Sequence, residues 1–244
     1  GRRYAEEVAG ALARIAAATR IIGDAGKGGI LTVHSTPSFA TQWLMPRLSR
    51  FRALHPNIDV RLQASTDIVD VGSESVDIDI RHGARTPPAG AEMLPFPAEM
   101  VVPLCAPELA NGLQPIRRPD DLRHHVLIHS EVCLVNWRDW QRRKPKLHLD
   151  LDRGPRFDRS FMSISAAVDG LGVCLESLLF VQRELAAGKL TMPLGMDGLS
   201  VHAHAMMIHK SKADLPRIMA FRQWLFSELA VSGSDAALAL SAAS

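Results

Sequence analysis

The sequence has few cysteines, little net charge and no long apolar run. Its three cysteines, Cys105, Cys133 and Cys174, are an odd number at wide spacing, which argues against a disulfide framework and favours a reducing, cytoplasmic compartment. We therefore expect free and mostly buried thiols. A net charge of +2 is too small to provide the clustered Lys and Arg of a nucleic-acid-binding surface. No apolar run approaches the roughly 20 residues that span a bilayer, and no leader peptide is evident, so we expect no membrane partner.

The sequence also lacks the common catalytic and metal-binding motifs. It contains no Gly-x-Ser-x-Gly elbow, Walker loop or His-Glu-x-x-His. His202 and His204 share a predicted strand face, but no cysteine or carboxylate accompanies them at zinc spacing. Asp77 and Asp79 also share a strand face, where we expect solvated carboxylates rather than a catalytic pair. We therefore predict no catalytic residue, no metal ligand and no cofactor.

The residues that are present favour an α/β fold. Hydrophobic residues make up 47% of the 244 positions, enough for one large domain or for two lobes of about 100 residues each. A short apolar strand at residues 30–34, a polar loop and a helix form a βα unit that recurs along the chain. Gly170 and Gly172 follow a predicted helix, whereas a dinucleotide fingerprint follows a strand and opens a helix. A Rossmann domain is excluded on that ground.

Residues 1–27 predict a separate N-terminal helix. One face of it recurs at spacings of three and four, which is typical of a coiled-coil stripe. This face consists of Tyr4, Val8, Leu12, Ile15, Thr19 and Ile22, and its aliphatic members Val8, Leu12, Ile15 and Ile22 would make the dimer contact. About 22 helical residues make a rod of about 33 Å, which favours a dimerisation helix over the alternative, a terminal helix docked on its own domain.

Four segments of the sequence match a family pattern. In residues 44–60 a helix with Leu-x-x-x-Leu-x-x-Phe spacing precedes His-Pro and an alternating strand, and the other segments are 76–83, 166–175 and 185–190. Together they resemble the effector-binding domain of LysR-type transcriptional regulators, in the glycine-cleavage-activator-like branch. The sequence departs from that branch at His82 and Pro87, near which the branch often has tyrosine and Trp-Pro.

The resemblance implies a two-lobed, periplasmic-binding-protein-like (type II) α/β fold with an N-terminal linker helix. Residues 28–100 and 202–230 would form lobe I and residues 101–201 lobe II. A last helix at residues 217–229 would precede a flexible tail at residues 231–244. Since residues 1–4 resemble the start of the family's linker, the winged helix-turn-helix domain that reads DNA would be absent from this chain.

The resemblance also implies a small-molecule site in the cleft between the lobes. A hydroxyl-rich helix start suits the carboxylate of a small organic acid or amino acid, although the same residues can instead be ordinary N-caps. An aromatic side chain would form the apolar wall of the site. The implied ligand-binding residues are Ser35, Thr36, Ser38, Ser65, Thr66, Asp67, Arg81, His129, Ser130, Asp158, Ser160 and Phe161.

The function that the resemblance implies is ligand-responsive transcriptional regulation. In this interpretation the chain senses its effector, forms a homodimer or homotetramer, and acts on promoter DNA through the winged helix-turn-helix domain. A solute-binding protein of the same fold is the first alternative. An enzyme on a related α/β scaffold is the second, and no motif supports it.

Overall fold

A computed structural model describes residues 4, 8, 29–73, 75–83 and 86–241 of the chain, with side chains as far as residue 232. These residues group into two compact units. The first holds residues up to Ala40, Leu44–Phe96 and His204–Leu229, and the second holds Thr41–Trp43, Pro97–Ala203 and the residues from Ala230 onward. No helix in these ranges is both long enough and apolar enough to cross a membrane.

Both units contain strands and helices. In chain order the strands are β1 (Ile30–Ser35), β2 (Asp59–Ala64), β3 (Ile78–His82), β4 (Ala91–Pro95), β5 (Glu99–Leu104), β6 (Leu127–Ser130), β7 (Arg156–Phe157), β8 (Val173–Ser177), β9 (Leu199–Val201) and β10 (His204–His209). The α-helices are α1 (Pro37–Phe39), α2 (Leu48–Leu54), α3 (Pro107–Asn111), α4 (Trp137–Arg142), α5 (Ser160–Val168), α6 (Gln182–Ala186) and α7 (Pro216–Ser241). Short 3-10 helices occupy Met45–Arg47, Pro119–His124 and Lys210–Lys212, and a π-helix occupies Ala40–Leu44.

The first unit is built on a mixed sheet with the strand order β2-β1-β3-β10-β4. Strand β1 is parallel to both β2 and β3, whereas β10 is antiparallel to β3 and β4. Every residue of β1 after Ile30 is buried, as expected for a central strand that is covered on both faces. The parallel strands β1, β2 and β3 end at the same edge of the sheet.

The helical stretch after β1 follows the predicted apolar spacing. Leu44 and Phe51 are fully buried, and α2 ends at Leu54, two residues before Pro56. Pro46 lacks a backbone N–H, and around it the helix changes from a π-helix to a 3-10 helix. The Phe51 ring packs in the core of the first unit. Its centroid lies 5.2 Å from that of Phe221 and 5.0 Å from that of Trp224.

The second unit is built on a mixed sheet with the order β7-β6-β8-β5-β9. Strand β6 is parallel to β7 and β8, and β5 is antiparallel to β8 and β9. Trp137 and Trp140 of α4 are buried against this sheet and meet edge to face at 5.6 Å. The indole N–H of Trp137 donates to the Ile128 carbonyl at 2.9 Å.

The expected state of the three cysteines is confirmed. All of them are free thiols, with Cys105 and Cys174 buried and Cys133 partly buried. Burial raises the pKa of the Cys105 thiol to about 12, so this thiol is neutral and packs as a small apolar side chain.

The expectation that Asp77 and Asp79 are solvated is wrong. Asp77 is 6% exposed and Asp79 is fully buried. The carboxylate of Asp77 accepts the Thr32 backbone N–H at 3.0 Å, and Lys212 and Arg217 pair with it at 3.8 and 3.4 Å. These two cations come from the distant end of the chain, so strand alternation alone gave no sign of the pairing.

Two predicted boundaries near the C-terminus are also wrong. The strand that was predicted to contain both His202 and His204 begins at His204, after the separate short strand β9. The last helix continues from Pro216 to Ser241 rather than ending at Leu229, since residues 230–241 are rich in alanine and leucine, which favour helix. Of the predicted N-terminal stripe, Val8 is helical and 38% exposed, whereas Leu12, Ile15 and Ile22 lie outside the described residues.

Candidate functional site

Polar residues of the first unit collect at the carboxyl ends of its parallel strands. The Ser65 backbone N–H, just after β2, donates to the Ser35 carbonyl at the end of β1 at 3.2 Å. The Thr36 N–H donates to the Ile80 carbonyl of β3 at 3.3 Å. The structure therefore brings the predicted residues Ser35, Thr36 and Ser65 to one sheet edge, where open α/β sheets commonly bind ligands.

The helix start at this edge leaves donors available. Thr36 is the N-cap residue and Pro37 follows it, but the Thr36 side chain makes no capping hydrogen bond. Because Thr36 holds that position, the alternative that Ser38 is an N-cap is wrong. Ser38 lies one residue after Pro37 and is 6% exposed. A first helical turn without a side-chain cap has backbone N–H groups free for an anionic group.

A chain of hydrogen bonds runs behind this edge through His34. The His34 Nδ1 lies 2.8 Å from Asp79 Oδ1, and its Nε2 lies 3.0 Å from Ser65 Oγ. The Ser65 hydroxyl lies 2.9 Å from Asp67 Oδ2 and accepts the Asp67 backbone N–H at 3.1 Å. His34 is 4% exposed, so it connects a buried carboxylate to a polar turn at the surface.

The other predicted residues of the first unit have different surroundings. The Arg81 guanidinium donates to Asp79 and, at 2.7 Å, to the Val69 carbonyl, with 22% of its side chain exposed. At least two of its five N–H donors are thus used within the protein. Thr66 and Asp67 are exposed in the turn after β2.

In the second unit, the predicted residues divide into a cluster and an exposed pair of charges. Ser130 ends β6 and Ser160 begins α5, and their hydroxyl oxygens are 3.5 Å apart. His129 lies near the Arg153 carbonyl, with 2.8 Å from its Nε2 to that oxygen. Asp158 instead pairs with Arg159 at 2.9 Å, with 63% of its side chain exposed. Phe161 is half-buried on the first turn of α5.

The second unit also contains a buried carboxyl that sequence reasoning missed. Glu176 on β8 is 1% exposed. Burial raises its pKa to about 8, although the hydroxyls of Ser160, Ser130 and Ser163 oppose the shift. Its Oε1 and the Ser163 hydroxyl make no hydrogen bond of 3.5 Å or less among the described residues, although the Ser163 hydroxyl is near enough to act on the pKa of Glu176.

A cavity of about 280 Å³ adjoins this part of the second unit. Among its lining residues are His129, Ser130 and Cys133. Within the described ranges, no three His, Cys, Asp or Glu side chains are grouped so that they could hold a metal ion.

Comparison with known proteins identifies the family. The LysR substrate binding domain matches residues 24–230. The chain belongs to this family. The resemblance found in the sequence is thereby confirmed, and the two mixed sheets are those of a LysR substrate-binding domain with its periplasmic-binding-protein-like type II fold.

Individual relatives of this LysR domain are transcriptional regulators. It is 41% identical over 201 residues to the HTH-type transcriptional regulator PerR of Escherichia coli (strain K12), covering 82% of this chain and 66% of that protein. It is 36% identical over 233 residues to the glycine cleavage system transcriptional activator of the same strain, covering 94% of this chain and 75% of that protein. The effector domain of the regulator AmpR of Pseudomonas aeruginosa matches with a TM-score of 0.69 at 31% identity, over 85% of this chain and 98% of that one.

Proposed function

We propose that this LysR substrate-binding domain is the effector-sensing part of a transcriptional regulator and that its effector is a small organic acid or amino acid. The main support is the sheet edge of the first unit, where Thr36 and Ser38 start a helix whose first turn has no side-chain cap. Hydroxyls and free N–H groups together suit a carboxylate. The Ser35 and Ser65 segments border the same edge.

The wider regulatory role is proposed from the relatives. The chain spans 66% of the length of PerR, and we propose that a winged helix-turn-helix domain binds promoter DNA in the whole protein. Self-association would involve the stripe at Val8, Leu12, Ile15 and Ile22. For a signal to result, the effector must bind two assembly states with different affinity. The free cysteines support a cytoplasmic location.

We also propose that the chain is not an enzyme. His34 contacts both a serine hydroxyl and a carboxylate, which is the contact set of a hydrolase triad. However, Asp67 competes for the Ser65 proton and Arg81 also occupies Asp79. Incubation with p-nitrophenyl acetate tests this point: we expect equal release of nitrophenol by the wild type and by Ser65→Ala, and a loss of release in the variant would contradict it.

Ligand binding by variants at the helix start tests the effector site. A thermal-shift screen of small organic acids and amino acids identifies a ligand, because a ligand that binds only the folded state raises the melting temperature. Ser38→Ala should then lower the affinity about tenfold to a hundredfold, the effect of losing one hydrogen bond to a charged group. Ser49→Ala, on the exposed face of α2, is the matched control.

The two outcomes separate ligand binding from a structural role. Weaker binding by Ser38→Ala with an unchanged melting temperature of the free protein supports the proposal. A lower melting temperature with unchanged affinity contradicts it.

A further inference from the structure

Residues 65–69, which we call the edge segment, follow β2 at the sheet edge of the first unit. In the middle of this segment, Thr66, Asp67 and Ile68 are all exposed. Exposed side chains bury little surface, so the position of the segment depends mainly on the contacts at its two ends. Side-chain contacts at both ends lead to one buried carboxylate, that of Asp79 on β3.

The first end of the edge segment is connected to Asp79 through His34. His34 lies directly opposite Asp79 in the parallel pairing of β1 with β3, so the two side chains point to the same face of the sheet. The His34 Nδ1 is 2.8 Å from Asp79 Oδ1, and its Nε2 is 3.0 Å from Ser65 Oγ. Asp79 is fully buried and His34 is 4% exposed, so this connection runs inside the protein.

The second end of the edge segment is connected to Asp79 through Arg81. The Arg81 guanidinium donates from Nε to Asp79 Oδ2 and from Nη2 to the Val69 carbonyl, the latter at 2.7 Å. Val69 also packs against a small cluster of buried apolar residues. The two oxygens of one carboxylate therefore serve the two ends of the same segment, Oδ1 through His34 and Oδ2 through Arg81.

We propose that Asp79, acting through His34 and Arg81, positions the edge segment for the effector without touching the effector itself. The backbone N–H of Ser65, in this segment, donates to the Ser35 carbonyl at 3.2 Å on the edge proposed for the ligand. A segment that is already held in its binding conformation loses less conformational freedom when the ligand binds, and the affinity is higher for that reason. The inference rests on the proposed function and deepens it, because it names the residues that prepare the effector site.

NMR relaxation of the amide-labelled, ligand-free chain tests the positioning. In His34→Asn the shorter side chain keeps an N–H donor near Asp79 but does not reach the Ser65 hydroxyl. The order parameters of the amides in the edge segment should therefore fall from about 0.85, the value of a rigid backbone, toward about 0.6. Ser65→Ala removes the same hydrogen bond from the side of the segment and should give the same loss of order. The Thr32 amide on β1 is the internal control and should stay near its wild-type value in both variants.

Calorimetric titration of the full chain tests the consequence for binding. The probes are the twenty amino acids together with acetate and propionate. For a probe that binds the wild type, His34→Asn should lower the affinity about twofold to tenfold, the effect of losing one hydrogen bond. In a chain that already carries Ser65→Ala the same substitution should lower the affinity no further, because His34 acts through the Ser65 hydroxyl. The exposed His124→Asn is the control and should bind as the wild type does.

The outcomes separate this inference from the proposed function. An edge segment that stays rigid in His34→Asn would overturn the inference, and so would losses of affinity from His34→Asn and Ser65→Ala that add in the double variant. A flexible segment with unchanged affinity would overturn it as well and leave an effector site intact. If no probe binds the wild type, the proposed function fails, while the relaxation data still decide whether His34 positions the segment.

Discussion

Replacement of Glu176 by glutamine should change how the stability of the protein depends on pH. In the folded protein burial raises the pKa of Glu176 from 4.5 to about 8. Above pH 4.5 the unfolded chain loses this proton first, so the contribution of Glu176 to stability falls as pH rises and is lost once pH passes 8. The loss amounts to about 3 kcal/mol by pH 7 and about 5 kcal/mol over the whole range.

Glutamine keeps the shape of the side chain and has no proton to lose. We measure the free energy of unfolding by urea denaturation, followed by tryptophan fluorescence, at pH 5 and at pH 8. Between these two pH values the free energy of unfolding of the wild type should fall by about 3 kcal/mol more than that of Glu176→Gln. The exposed Glu131→Gln is the control and should track the wild type. Parallel pH profiles for Glu176→Gln and wild type would refute the assignment of a buried, protonated carboxyl.

Three further substitutions test the packing, the buried charges and self-association. Phe51→Ala empties the centre of an aromatic cluster and should lower the free energy of unfolding, measured by urea denaturation, by about 3–5 kcal/mol. The control Leu54→Ala, at a residue that is 67% exposed, should change it by less than about 1 kcal/mol, and equal effects would contradict the burial of Phe51 in the core. Asp77→Asn leaves two cations without their carboxylate and should cost about 3 kcal/mol, and a thermal melt like that of the wild type would argue against this ion cluster. The double substitution of Leu12 and Ile15 by glutamate should shift the sedimenting species to a smaller mass than that of the wild type. A mass distribution that is unchanged by the substitution and by dilution would count against the dimerisation helix.

Local pattern was sufficient to predict the α/β fold and several elements of the first unit. The spacing of Leu44 and Phe51 predicted a helix with one buried face, and both residues are buried in it. The backbones of Ser35 and Ser65 meet because parallel neighbouring strands place their carboxyl ends at one edge. This juxtaposition follows from strand direction and therefore was accessible from the sequence.

Pairings between distant parts of the chain were not accessible in this way. His34 and Asp79 are 45 residues apart in sequence, yet their side chains are hydrogen-bonded at 2.8 Å. A single acidic residue in an apolar strand, such as Glu176, can be exposed or buried. Which of the two occurs depends on the elements that pack against that face of the sheet. A polar residue in an otherwise apolar strand was the one signal that pointed to these sites.

The central claim is that a small effector binds at the strand ends of the first unit. An NMR titration of the amide-labelled chain, with a ligand from the thermal-shift screen, tests it most directly. We predict that saturable shifts concentrate at the backbone amides of Thr36, Ser38, Ser65 and Asp67. Shifts confined to other surfaces, such as the groove of about 490 Å³ lined by Leu94, Met219, Arg222, Gln223 and Phe226, would contradict this account.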